Sequence, residues 1–338
     1  MTGSECSPLA EAFRADALRT AARIDEWAHG EPTFRLGFIT DIHSGGNEKY
    51  RHRSLFAAQK EVLHMDLLAD GGDLGLDLGE DAATTETLLA RTEEGLRSAS
   101  PFLYCKGNHD YGTQCVPNTT IVDRLLSPFA ASAGAEVVHD GEGGGYGSYT
   151  DPGANVLVLF LNTSEGNTRA FRMFPAQLSW LVRRLEQVRE GQSVVILSHF
   201  CLDREIGKWK SYPDDGENEA FRTIRQILPD FVARRRGKNE ETGIGWDFTA
   251  VPESAHLVCA LAGDSHFNNH IRRDGVTYIV RQGYGGVNPD ELPAGATKDL
   301  FDFHAHPLFD VLAVRRDGSA GLFRVGAGDT VRDLPDIR

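Results

Sequence analysis

Apolar residues fall along this chain in two alternating rhythms. The first is helical: Phe13, Ala17, Ala21 and Ile24 recur at three- to four-residue spacing after a Ser7-Pro8 start, which suits an N-cap and first helical position. Gly30 and Pro32 close this helix, expected over residues 7–29. A short apolar run at 34–40 then predicts a strand, and Leu55, Ala58, Val62 and Met65 predict a helix. Strands are expected at 67–69 and 102–105, with a helix between them at 81–99 carrying Leu88, Leu89 and Leu96. The second half repeats the style. Gly143, Gly144 and Gly145 mark a hairpin turn, and the unbroken apolar run at 156–161 reads as a buried strand. Leu178, Leu181, Val182, Leu185 and Val188 form a helix stripe behind Pro175. Strands follow at 194–197, 257–261, 278–280 and 309–314, with a turn at Asp317-Gly318.

Strands alternating with helices define an α/β fold, in which ligands collect at the carboxyl ends of strands. Residues 1–338 are read as one domain, with a core over 33–325. The polar stretch at 201–252 interrupts the rhythm and is expected to be an insertion over the active-site side. It carries a helix at 218–235, with Pro229 as a kink, and the basic residues Lys208, Lys210, Arg234, Arg235, Arg236 and Lys238.

Composition narrows the function. Of 338 residues, 41% are hydrophobic, enough for a large core, and the longest apolar runs are too short to span a bilayer. The net charge of −14 argues against sequence-independent grip on nucleic acid and against docking on an anionic membrane. Five cysteines (Cys6, Cys105, Cys115, Cys201 and Cys259) form no CxxC pair, so neither a disulfide framework nor a zinc knuckle is expected. With no apolar leader at the N-terminus, a cytoplasmic location is expected.

The chemistry sits where the strands end. Asp41 and His43, then Asp73, then Asn108 with His109 and Asp110, then His199, then Asp264 and His266 each follow an apolar run. One Asp after a strand is usually a turn residue. Five such coincidences predict a metal centre instead. Oxygen and imidazole donors without thiolate suit Mn²⁺, Fe²⁺, Zn²⁺, Ni²⁺ or Mg²⁺.

Asp41-Ile42-His43, Gly71-Gly72-Asp73, Gly107-Asn108-His109-Asp110, Ser198-His199 and Gly263-Asp264-Ser265-His266 together resemble the calcineurin-like metallophosphoesterase family, over nearly the whole chain. That family's order is DxH, GD, GNHD or GNHE, a lone His, and GHxH. The resemblance implies two packed mixed β-sheets flanked by helices, a four-layer α/β-β/α sandwich, and a site for two divalent metal ions. It implies that Asp41, His43 and His266 hold one ion, that Asn108 and His199 hold the other, and that Asp73 bridges them. Asp264 stands where the family has a histidine. As a carboxylate it can ligate a harder ion, or its shorter reach can leave the second metal more open.

The implied activity is hydrolysis of a small soluble phosphoester, a mono- or diester such as a nucleotide, by a hydroxide held between the ions. His109 is expected to face the leaving-group oxygen, with Asp110 orienting it. Two other readings stand beside this one: a nuclease of the same family, and a non-catalytic metal-binding scaffold of which Asp264 would be the mark. Arg51, His52 and Arg53 read as a solvated helix start, His304 and His306 as a loop, and Gly283-Tyr284-Gly285-Gly286, which lacks a following Lys-Ser/Thr, as a turn.

Overall fold

Along each buried strand, successive side chains point to opposite faces, and here the two faces enter different cores. Val156, Val158 and Phe160 pack inward against Phe34, Leu36, Phe38 and Leu312. Their neighbours Leu157, Leu159 and Leu161 pack outward against Leu178, Leu181 and Leu185. Strands buried on both sides read as unbroken apolar runs, which is the pattern seen at 156–161.

The computed structural model describes residues 8–43, 56–74, 82–97, 102–110, 118–141, 143–166, 168, 170–207, 218–283, 308–326 and 333–337. Helix α1 (Pro8–Ala28) leads into β1 (Thr33–Ile39), β2 (Leu67–Asp70), α2 (Ala82–Arg97) and β3 (Phe102–Tyr104). A helical run follows: α3 (Asn118–Ile121), a π turn (Val122–Leu126) and α4 (Ser127–Ser132). Next come β4 (Glu136–Val138), β5 (Tyr146–Asp151), β6 (Val156–Phe160), α5 (Pro175–Glu186) and β7 (Ser193–Ser198). Helix α6 (Glu219–Val232), β8 (Arg236–Lys238), β9 (Gly245–Asp247) and β10 (His256–Ala262) precede β11 (Asn269–Arg273), β12 (Val276–Val280), β13 (Leu308–Arg315) and β14 (Ala320–Gly326).

Two mixed sheets result. One runs β14-β13-β1-β2-β3 and the other β11-β12-β10-β7-β6-β5-β4. Within them β1, β2 and β3 are parallel, as are β6, β7, β10 and β12, so their carboxyl ends gather on one side. The sheets face each other across the inward core. Phe13, Ala17, Ala21 and Ile24 of α1 cover the outside of the first sheet, against Phe309, Val311 and Val325. Helices α5 and α6 cover the outside of the second. The four-layer sandwich is therefore present.

Several local expectations change. Residues 56–57 are helical, but tight turns carry the chain through 58–64, closed by bonds such as Gln59 N to Phe56 O (3.1 Å). Leu63, not Val62, takes the core position there. The helix of the 201–252 stretch continues through Pro229. Its apolar face (Phe221, Ile224, Ile227, Leu228, Phe231) belongs to the outer core of the second sheet. Residues 208–217, on which a covering role would depend, lie outside the described residues.

The inward core becomes ionic at one end. Asp310 on β13 sits opposite Phe38 of β1 and is buried. The Arg281 guanidinium, just past β12 of the other sheet, donates to both its oxygens (2.9 and 2.6 Å). Arg324 of β14 donates to the same two oxygens (2.9 and 3.2 Å) and to Asn268 Oδ1 (2.8 Å). Burial opposes the charge on Asp310, but the two guanidiniums hold its carboxyl below the ordinary value. Removing one partner of such a group leaves uncompensated buried charge. Asp310→Ala is therefore expected to destabilise the fold by about 3–5 kcal/mol in urea unfolding; a change within about 0.5 kcal/mol, as for an ordinary surface substitution, would contradict this account.

Candidate metal centre

Three of the five strand-end loops deliver their side chains through a strained backbone. Asp41 (φ 55°), His43 (φ 44°), Asp73 (φ 55°), Asp264 (φ 60°) and His266 (φ 55°) all adopt the left-handed conformation. Residues with a Cβ rarely do so, at about 1–3 kcal/mol each. The loops hold because they pack without space between them. A Cβ on Gly107 would lie 2.2 Å from Asp73 N and Oδ1, and one on Gly263 would lie 2.0 Å from Thr40 Oγ1.

Hydrogen bonds aim the donors. Asp41 Oδ2 accepts from Thr40 Oγ1 (2.6 Å) and from the backbone N–H of Asp264 (3.0 Å). Its Oδ1 is buried without a hydrogen-bond partner and stands 3.7 Å from His266 Nε2. His199 Nδ1 lies 2.8 Å from the carbonyl of Gly71, which fixes that nitrogen as the N–H donor and leaves the Nε2 lone pair for the centre. Asp73 faces both ways: Oδ2 is 3.5 Å from His43 Nε2, and Oδ1 is 3.4 Å from His199 Nε2. Asn108 Oδ1 is 3.0 Å from His199 Nε2.

These spacings fit cations. Two donors each about 2.1 Å from one ion stand about 3.0 Å apart at a right angle and about 3.4 Å apart at the tetrahedral angle. Two triads of ionisable donors converge in this way, Asp41–His43–His266 and Asp41–Asp73–His199. Asp264 belongs to neither triad; its Oδ1 stands 3.7 Å from His199 Nε2. The Asn108 amide stands beside both Asp73 and His199 Nε2: turned one way its nitrogen donates to them, turned the other its oxygen faces Nε2, the orientation a cation ligand needs.

The electrostatics agree. Among the described residues, the ion-pair partners of Asp41 and Asp73 are imidazoles alone. Burial, reinforced by Asp73 and Asp264 and opposed by His199, pushes the Asp41 carboxyl up to about 8. Burial also opposes ionisation of Asp73, but His199, His43 and His109 hold it below the ordinary carboxylate range. His199 is buried yet lifted well above the ordinary imidazole value by Asp73, Asp41 and Asp264. Burial lowers His43.

His109 lies beside the donors rather than among them. Its ring makes an edge contact with His43 (centroids 5.1 Å apart), its backbone N–H donates to Asp73 Oδ1 (2.8 Å), and it is partly exposed. Asp110 is fully buried, and its Oδ2 accepts from the backbone N–H groups of Asp73 (2.8 Å) and Gly107 (3.0 Å) and from the Tyr104 hydroxyl. That carboxylate pins two metal loops together, a task the sequence reading did not foresee. Lys106 was also unforeseen: it is buried, its Nζ donates to the carbonyls of Ser164 and Gly166, and burial pushes it down to about 8. A lysine closing an apolar strand run was the available signal. Arg51, His52, Arg53, His304, His306 and residues 284–286 lie outside the described residues.

Of the solved structures, the chain is similar to a dimetal phosphatase from Danio rerio, at a TM-score of 0.59 over 91% of this chain and 100% of that one, with 11% identity. The chain has the metallophosphoesterase fold. GAP50 of Plasmodium, the anchor in the inner membrane complex, is also similar (TM-score 0.49, 10% identity, 90% of this chain and 89% of that one). So is purple acid phosphatase PPD1 from yellow lupin (TM-score 0.49, 11% identity, 87% of this chain and 51% of that one). No family model and no curated protein matches the sequence. The likeness to the Danio rerio enzyme therefore lies in the arrangement of elements.

Metal loading should depend on pH. In the metal-free protein Asp41 keeps its proton to about pH 8, whereas unfolding returns it to about 3.9. Its contribution to stability is complete below the unfolded value and is lost as pH rises through about 8. His199, raised in the fold, acts in the same direction, while the opposing effect of His43 is over once pH exceeds about 6.5. Chelated protein should thus melt at a lower temperature at pH 8 than at pH 6.5. Added Mn²⁺, which binds the deprotonated donors, should raise the melting temperature more at pH 8. A Mn²⁺ effect that shrinks as pH rises would contradict this assignment.

Proposed function

We propose that the protein is a calcineurin-like metallophosphoesterase: a hydrolase that cleaves a small phosphorylated molecule with the help of two divalent metal ions. The observation that carries this reading is Asp73, whose two oxygens each face a different imidazole, His43 and His199. Asp41, His43 and His266 would hold one ion, Asn108, His199 and Asp264 would hold the other, and Asp73 would contribute to both. One domain over residues 1–338, with its catalytic core over 33–325, carries the site. Bound there, divalent ions would supply positive charge to an anionic phosphoester and would acidify a water.

The remaining work falls to side chains. His109, partly exposed beside His43, gives a proton to the departing ester oxygen. Asp110, through Asp73 N and Gly107 N, keeps the loops that carry Asp73 and His109 in register. The site's own surplus of carboxylates disfavours an anionic substrate until cations are bound, so metal binding precedes substrate binding. The net charge of −14 supports a small substrate rather than nucleic acid. Among the described residues no helix is long and apolar enough to cross a membrane. The buried free thiols of Cys105, Cys201 and Cys259 support a cytoplasmic location.

The test is the initial rate on matched aryl phosphate mono- and diesters with Mn²⁺, against a chelated control. Chelator-sensitive turnover is expected, and the ratio of the two rates reports whether a second ester arm is accepted. Turnover that survives chelation would overturn the reading. Asp73→Ala should lower metal content at both positions and slow hydrolysis by more than about a hundredfold; full occupancy of two metals in that variant would remove Asp73 from the bridging role. His109→Ala should retain the metals and slow poor leaving groups by about 10²–10⁴-fold, good ones far less. An equal loss for both would exclude proton donation.

A further inference from the structure

Helix α5 ends on a basic turn at the edge of a cavity. Arg184 lies in its last turn and Gln187 caps it, and Arg189 and Gln192 follow in the loop to β7. With Thr150 of β5 and Leu157 of β6, these residues line a space of about 350 Å³, a size that suits a small molecule. Thr150 and Leu157 are paired across the sheet and so share its outer face. Among the described residues, no carboxylate, imidazole or thiol lines the cavity.

Two guanidiniums thus meet in a chain whose net charge is −14, and neither is answered at close range. The Nε–H of Arg184 is buried without a hydrogen-bond partner, which is costly unless a ligand accepts from it. Its Nη1 stands 3.8 Å from a carboxylate oxygen of Glu136, beyond hydrogen-bond reach, and that glutamate is solvated. Arg189 is exposed and has no ion pair among the described residues. Gln192 is buried, and its Oε1 accepts from the backbone N–H of Arg189 (3.1 Å), so its amide nitrogen is the donor that remains.

Such a lining selects an anion. A carboxylate is planar, and one guanidinium fork saturates it; a phosphoryl group offers oxygens on several sides, as two separate arginines and an amide require. Two full positive charges outweigh the roughly half negative charge at the end of α5. The cavity is roomier than inorganic phosphate needs, and Thr150 and Gln187 offer hydrogen bonds to hydroxyl groups on the rest of a ligand. The place is also remote from the metal centre. Leu157 pairs with Val194 at the amino ends of the parallel strands β6 and β7. Gln192 precedes β7 and His199 follows it, a separation of about 23 Å at roughly 3.3 Å per residue.

We propose that this cavity is a second, metal-independent binding site for a phosphorylated small molecule, held by Arg184 and Arg189. Lacking any carboxylate, imidazole or thiol, it binds that molecule without cleaving it. The site goes beyond hydrolysis at the metal centre and does not rest on it.

Isothermal titration of the full chain, stripped of metal and freed of chelator, tests this with ribose 5-phosphate, inorganic phosphate, ribose and acetate. Saturable one-to-one binding of ribose 5-phosphate is expected, with weaker binding of inorganic phosphate and none of ribose or acetate. Arg189→Gln, at an exposed position, should leave the melting temperature of the free protein unchanged and weaken ribose 5-phosphate by about 10- to 100-fold. Arg184→Gln should weaken it by a similar factor. His109→Ala, at the metal centre, should leave this binding as it was. Affinity indifferent to both arginine substitutions, equal binding of acetate, or no saturable binding of either phosphate would overturn the proposal. So would binding that His109→Ala abolishes, which would assign the ligand to the metal centre. The hydrolysis reading, tested with metal present, stands or falls separately.

Discussion

The Asp73 carboxylate is buried, and it is shared between two imidazoles that come from different sheets: His43 follows β1 and His199 follows β7. No arginine or lysine compensates it among the described residues, so its charge is answered only from within the site. This constraint shapes what surrounds it. The backbone N–H of His109 caps one oxygen, Asp110 grips the backbone N–H of Asp73 itself, and Gly107 has no side chain because one would occupy the place of that carboxylate. An acidic group kept charged in a dry place has to be surrounded by fixed dipoles, and here the dipoles belong to the loops that also carry the other ligands.

The same economy joins the two halves. Asp264, on a loop of the seven-stranded sheet, donates its backbone N–H to Asp41 on a loop of the five-stranded sheet. His199 reaches back to the carbonyl of Gly71. Neither set of candidate donors can shift without moving the other. Left-handed backbone at five of the donor residues fits this picture: the strain is tolerated because packing from both sheets over-determines the loops.

Much of this was legible in the sequence. The face Phe13, Ala17, Ala21 and Ile24 is buried as its spacing implies, and the run at 156–161 divides between two cores as a doubly covered strand must. The donors stood out because chemistry at the end of an apolar run is conspicuous. Other features carried no such mark. Tyr146–Asp151 is a strand of polar and small residues next to the edge strand of its sheet, and its sequence has neither rhythm. Asp110 reads as the orienting partner of the neighbouring His109, and nothing in the sequence shows that its carboxylate also accepts from the backbone of Asp73, 37 positions away. Nothing in the sequence links Arg281, Asp310 and Arg324; only the pairing of distant strands makes them one buried group. Helix α6 announced an amphipathic face without saying which sheet it would meet.

That buried group gives the seam between the sheets two unlike ends. Leu312, Val314 and Leu322 fill one end with hydrocarbon, while Asp310 and Arg324, on the same two strands, fill the other with ions. Hydrocarbon contacts weaken on cooling, and their strength per unit area levels off on heating. The penalty for keeping ions dry falls as temperature rises. The two ends of one interface thus respond to heat unequally, the hydrocarbon end levelling off while the ionic end continues to gain. Arg324 also holds Asn268, two residues beyond His266, so the end that gains relative firmness with heat is the end that carries the ligands.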